Sequence, residues 1–257
     1  MFAVVVVVLA YGCYVLGQWQ FHRLQAREST NTLTRTNLRA DPAPVDEVLQ
    51  EGRPSRARDE WRRVTATGTY LPDSSVVVCY QTRDGASGVD VVTPLRTDSG
   101  PVLLVDRGWM ATENSGREDV TPPDPPSGTV TVVGWVRADA TGDATEVTDR
   151  STRAISSVEI GPALGLPVYG GFVDVDKESP APRTPLVRAE LPDLGQGPHF
   201  FYGLQWWFFG ALAVFGFFYL AYDERRKVRA PAAAPSQRAE HAPVDRQHHA
   251  GDEARSR

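Results

Sequence analysis

The sequence predicts a membrane protein in which two transmembrane helices flank an extracytoplasmic, mainly-β domain, a small β-barrel or sandwich with short helices. Three observations lead there. Pro198–Tyr222 has no Asp, Glu, Lys or Arg and holds 12 of the 24 aromatic residues, so half of the aromatic surface is committed to one apolar segment. About 20 apolar residues at 1.5 Å rise cover a hydrocarbon core of ~30 Å, and this segment is long enough. Phe2–Gly17 is a second apolar run, and from Trp61 onward the chain shows short period-two runs broken by turn residues, the strand signal.

The elements follow in order. Residues 2–17 form the first predicted helix. At 16 residues it reaches roughly 24 Å, short for a span. A signal peptide is the rival reading, but only Met1 precedes the run, and Gly17-Gln18-Trp19-Gln20 is a poor cleavage site. Residues 18–60 read as an outer boundary segment and a polar tether, with a short helix at Asp46–Gln50. The β domain spans 61–198. Its predicted strands are Arg62–Leu71, Ser75–Gln81, Gly88–Arg96, Pro101–Met110, Thr129–Arg137, Phe172–Val175 and Pro185–Glu190. Thr121–Gly128 is proline-rich and excluded from a central strand, because proline lacks the ladder donor. Gly142–Arg150 reads as a solvated acidic loop, and Ser157–Leu166 as a short helix. Residues 199–222 are the second span. The tail, 223–257, begins with Arg225, Arg226, Lys227 and Arg229, and this basic flank orients the span with its end inside. Both termini are then cytoplasmic and the central domain extracytoplasmic. The rest of the tail has no periodicity and reads as disordered.

Composition narrows the function. Net charge is −5, and no basic stripe is present, which argues against nucleic acid. Two cysteines, Cys13 and Cys79, and two methionines give soft metals little to bind. The β domain has no histidine, and no nucleophile elbow, zinc-protease or phosphate-loop motif occurs, so the chain is expected not to be an enzyme.

The polar residues at the outer end of the second span are the candidates for function. His199, Tyr202 and Trp206 share one helical face by their spacing, with Gln205 at its edge. Polar groups at membrane depth cost free energy and point to function. Tyr and Trp also serve as plain interface anchors. The two-span topology brings Gln18–Arg23, including His22, to the same boundary as His199. In the domain, Asp106-Arg107-Gly108-Trp109 ends a strand, either as an internal ion pair with a core tryptophan or as a docking surface. Asp90, Asp106, Asp174 and Asp176 read as turn or ladder-end carboxylates.

Four blocks carry a resemblance to the Surfeit-locus protein 1 family, the cytochrome c oxidase assembly factors. They are Gly17-Gln18-Trp19-Gln20-Phe21-His22-Arg23, Val91–Leu95, Val102–Trp109, and His199, Tyr202, Gln205 and Trp206. The resemblance covers roughly residues 2–226. It implies a role in maturing haem-copper oxidase, at the stage where haem a enters the large catalytic subunit. His199 then corresponds to the family's second-span histidine and would ligate haem iron, a role suited to a strong axial ligand. Tyr202 and Trp206 would flank the ring, and Arg23, or Arg107 from the domain, would meet propionates. Gly17, Trp19, Gln20, Arg107, Gly108, Trp109 and Gln205 are the remaining motif or partner-binding residues. Implied partners are the oxidase large subunit, haem a synthase or a respiratory supercomplex, and membrane lipid. The alternative is a non-catalytic scaffold or accessory subunit bound to the oxidase without haem.

Overall fold

The computed structural model describes residues 1–113, 116, 120–195 and 197–229. The predicted tail beyond Arg229 lies outside them. Two compact units are present: Gly17–Leu204, and a helical unit of Met1–Leu16 with the described residues 205–229.

Helix α1 spans Phe2–Arg39, so it does not stop at Gly17, and much of the predicted tether is helical. No glycine or proline occurs between Gly17 and Pro42 to end it. Its later turns bury Asn31, Thr34 and Asn37, a stripe at helical spacing that is polar and so invisible to hydrophobic periodicity. Asn37 Nδ2 donates to the carbonyls of Arg58 and Glu60, both at 2.8 Å, which pins residues 57–60 to the helix.

The β domain follows as β1 (Ala43–Pro44), α2 (Val45–Val48), β2 (Arg63–Tyr70), β3 (Val76–Arg83), β4 (Ala86–Thr97), β5 (Val102–Ala111), β6 (Thr129–Arg137), β7 (Ser151–Thr152), α3 (Ser157–Leu164) and β8 (Phe172–Ser179). The sheet order is β1-β2-β6-β8-β5-β4-β3-β7, and an additional β2–β4 pairing closes strands 2, 6, 8, 5 and 4 into a barrel. Closure depends on Gly68. A Cβ there would lie 2.1 Å from the Arg96 carbonyl oxygen, so only glycine lets β2 and β4 meet.

Alternation along the strands builds separate cores, of which two are the largest. Val64, Ala66, Leu95, Leu103, Val105, Val130, Val132 and Val173 belong to one cluster inside the barrel. Val76, Val92, Val102 and Leu104 turn the other way and pack with Ile160 of α3 and with Phe172. Strand β5 is therefore buried on both faces, which explains its continuous apolar run VLLV.

Three expectations are corrected. Pro185–Glu190 is not a strand: Val187 makes one bridge to Trp109, and prolines at 180, 182, 185 and 192 remove ladder donors around it. Strand β8 continues beyond Val175 to Ser179, still paired with β6 after a bulge at Val133/Gly134. Gly142–Arg150 is not wholly solvated, since a 3-10 turn at Asp143–Thr145 buries Thr145. Thr121–Gly128 forms no strand, as expected.

The second long helix, α4, spans His199–Arg229. Both α1 and α4 contain stretches long and apolar enough to cross a membrane, with 11% and 6% of those stretches buried in protein. In the helical unit they run antiparallel, with Phe2 near Phe217 (ring centroids 5.8 Å) and Cys13 beside Gly210. Val4, Val7, Val8, Phe215, Phe218 and Tyr219 are exposed.

Candidate functional site

Residues 20–35 of α1 hold the segment that leads into α4. Arg27 Nε donates to the Gly195 carbonyl at 2.8 Å, and its Nη2 lies 3.2 Å from Asp193. Asn31 Nδ2 donates to the carbonyls of Leu194 and Gly195, and Arg35 Nη2 to Leu194. The start of α4 is thereby fixed against α1. There, His199 Nδ1 lies 2.9 Å from Gln20 Oε1. Beside this bond the Phe21 ring meets Phe200 edge-to-face (6.2 Å, 81°). Gly203 makes room for it, since a Cβ at that position would come within 2.8 Å of the Phe21 ring.

Of the residues the sequence singles out here, Gln20 and His199 are joined directly. Gly17 is buried. Arg23 stacks its guanidinium over Trp19 at 5.4 Å, and both are exposed, as is His22. Tyr202 is half exposed and donates its backbone N–H to Pro198. Gln205 and Trp206 are further along α4, within the helical unit, where Trp206 meets Phe209 edge-to-face (6.2 Å, 89°). The clamp residues Arg27, Asn31 and Arg35 escape sequence reasoning, because nothing in a polar run marks which side chains will meet a distant loop.

The Asp106–Trp109 strand end builds the domain interior. Arg107 is 1% exposed. Its Nη1 and Nη2 donate to the carbonyls of Pro123 and Asp124 at 2.7 and 3.2 Å, and Nε lies 3.7 Å from Glu178. Glu178 also accepts from the Tyr70 hydroxyl at 2.8 Å and Arg188 at 3.3 Å. Burial holds the Tyr70 hydroxyl well above its ordinary pKa, reinforced by the Glu178 charge. Gly108 adopts φ +123°, and a Cβ would strike the Val187 carbonyl at 2.4 Å. Trp109 is buried with its indole over Gly88 and donates Nε1–H to Gln81. Arg107 thus points its charge at Glu178, and the proline-rich loop is its second support.

The strand carboxylates also come together. Asp90, Asp106 and Asp174 line one cleft of about 860 Å³, together with Val78, Ile155 and Phe172 of the cluster outside the barrel. Asp176 pairs instead with Arg63 at 2.8 Å. Burial raises the Asp106 carboxyl well above the usual range, with Asp90 and Asp174 adding to it. Asp90 and Asp174 are also raised, chiefly by burial, although Arg83 and Arg137 oppose the shift.

A family model described as the SURF1 family matches residues 7–211, which include both Gln20 and His199. The chain belongs to the SURF1 family. An uncharacterized SURF1-like protein of Mycobacterium tuberculosis is 32% identical over 242 residues, 91% of this chain and 87% of that protein. The cytochrome oxidase assembly protein SHY1 of Saccharomyces cerevisiae is 30% identical over 102 residues, 39% of this chain and 25% of that protein. A SURF1-like protein of Rickettsia bellii is 32% identical over 103 residues, 39% of each chain.

Proposed function

We propose that this SURF1 chain is a two-pass membrane assembly factor for haem-copper cytochrome c oxidase, acting without catalysis, with both termini cytoplasmic and the barrel extracytoplasmic. We further propose that it assists haem a insertion into the large catalytic subunit, with haem as its cargo. The observation that carries the reading is the Gln20–His199 bond, which joins the two family motifs from opposite ends of the chain. With Gln20 Oε1 as acceptor, Nδ1 of His199 carries the proton and Nε2 keeps its lone pair. A hydrogen bond behind a ligating histidine fixes the ring and raises its basicity. Haem iron requires such an axial donor. Tyr202 and Trp206 supply aromatic surface on the same helix, and exposed Arg23 is available to a carboxylate. The yeast relative's name as an oxidase assembly protein supports the broader part of the reading.

The test is the absorption spectrum of full-length protein, purified in detergent from cells that make haem a. Wild type should carry a haem a band, His199→Ala should lose it, and Gln20→Ala should shift or weaken it. Full haem occupancy in His199→Ala would overturn the ligand assignment. No band in any of the three would leave the scaffold reading, in which the chain holds the oxidase without haem.

A further inference from the structure

The cleft lined by Asp90, Asp106 and Asp174 holds more carboxylates than cations. Arg83 donates to Asp90 at 3.0 Å, and Arg137 to Asp174 at 2.6 Å. Arg137 also stacks on Trp61 at 4.2 Å, and the third arginine of the cleft, Arg153, lies over Tyr80 at 5.7 Å. Asp106 is 5% exposed. Its Oδ1 accepts the Gly108 N–H at 2.9 Å, and among the described residues no hydrogen bond or ion pair reaches Oδ2, although the residue lines the cleft. Seven acidic and three basic residues line the space in all, a formal excess of four acidic groups.

The occupant that fits is an organic cation. Among the described residues no three His, Cys, Asp or Glu side chains are arranged to hold a metal ion. A guanidinium or ammonium, by contrast, needs one free carboxylate oxygen and a ring of acceptors. The volume of about 860 Å³ is far larger than one such group and suits several residues of extended chain. Open, electronegative clefts of this kind concentrate basic partners electrostatically.

We propose that this cleft is a docking site for an arginine- or lysine-bearing segment of a partner protein, with the basic side chain placed against Oδ2 of Asp106. Burial disfavours the lone Asp106 charge, and an incoming cation would restore it. The inference is independent of the haem reading, because it uses none of the residues around His199.

The test uses full-length protein in detergent and a fluorescent peptide, Gly-Ser-Arg-Arg-Gly-Ser, with an isosteric citrulline version. The arginine peptide should saturate and the citrulline peptide should bind at least about tenfold more weakly, as loss of a charge-assisted pair requires. Asp106→Asn should weaken the arginine peptide by a similar factor, while remaining folded by its melting temperature. Asp84→Asn, on the exposed rim of the same cleft, should change binding less than twofold. Equal loss in the two variants would reduce the effect to diffuse attraction and overturn the site. Unchanged binding in Asp106→Asn, or no saturable binding at all, would also overturn it. Agmatine competing as well as the peptide would assign the cleft to a small cation and overturn the protein partner. Haem content is unaffected by any of these outcomes.

Discussion

Replacing Arg107 by methionine tests whether the charged centre of the barrel is a matched unit. Arg107 and the Glu178 side chain are each 1% exposed, so neither charge is solvated. Methionine fills most of the arginine stem but leaves Glu178 without its buried cation and strips donors from the Pro123 and Asp124 carbonyls. Removing one partner of a buried pair typically costs 3–5 kcal/mol. Here Glu178 keeps the Tyr70 hydroxyl and half-buried Arg188, which places the cost near the lower end, about 3 kcal/mol. For a chain of this size that is a fall in Tm of roughly 6–12 °C. Replacing both charges, Arg107→Met with Glu178→Gln, should recover at least ~1 kcal/mol relative to the sum of the single changes, because the stranded carboxylate is gone. The assay is thermal unfolding of full-length wild type, both single variants and the double variant in one detergent. Strict additivity, or an Arg107→Met Tm within 2 °C of wild type, would refute the buried-pair account.

Two further predictions concern groups whose environment was set by folding. Asp106→Asn should stabilise the protein at neutral pH. The folded-state pKa of Asp106 is raised, so the stability is full below the ordinary carboxylate pKa near 4 and is lost as pH rises through the raised folded value. The Tm advantage of the variant should therefore be near zero at about pH 4 and grow toward pH 7, and a constant offset would contradict the assignment. Asn37→Ala should leave the Arg58 and Glu60 carbonyls without their donor and cost about 1–3 kcal/mol. Hydrogen exchange at residues 57–62 should accelerate, and unchanged exchange there would show that α1 does not hold this segment.

The sequence by itself determined the two apolar helices, most strands of the barrel and the residues that mark the family. These are local properties: an uncharged apolar run, period-two alternation, and short motifs such as Gly17–Arg23. It also placed the segment Gln18–Arg23 and His199 at one boundary by topology alone, without marking Gln20 as the residue that meets the histidine. Only the tertiary structure decided the rest. Helix α1 reaches Arg39 because Asn31 and Asn37 find backbone carbonyls far away in the chain, and a polar stripe carries no periodic signal. Arg107 is interior because Glu178 and the proline-rich loop arrive to receive it, a choice the tetrapeptide Asp106–Trp109 leaves open. Asp90, Asp106 and Asp174 share a cleft because β4, β5 and β8 are neighbours in a closed barrel. Which carboxylates there go without a cation depends on pairings such as Arg137 with Asp174, 37 positions apart, and charge balance at a point in space is not a local property of the chain.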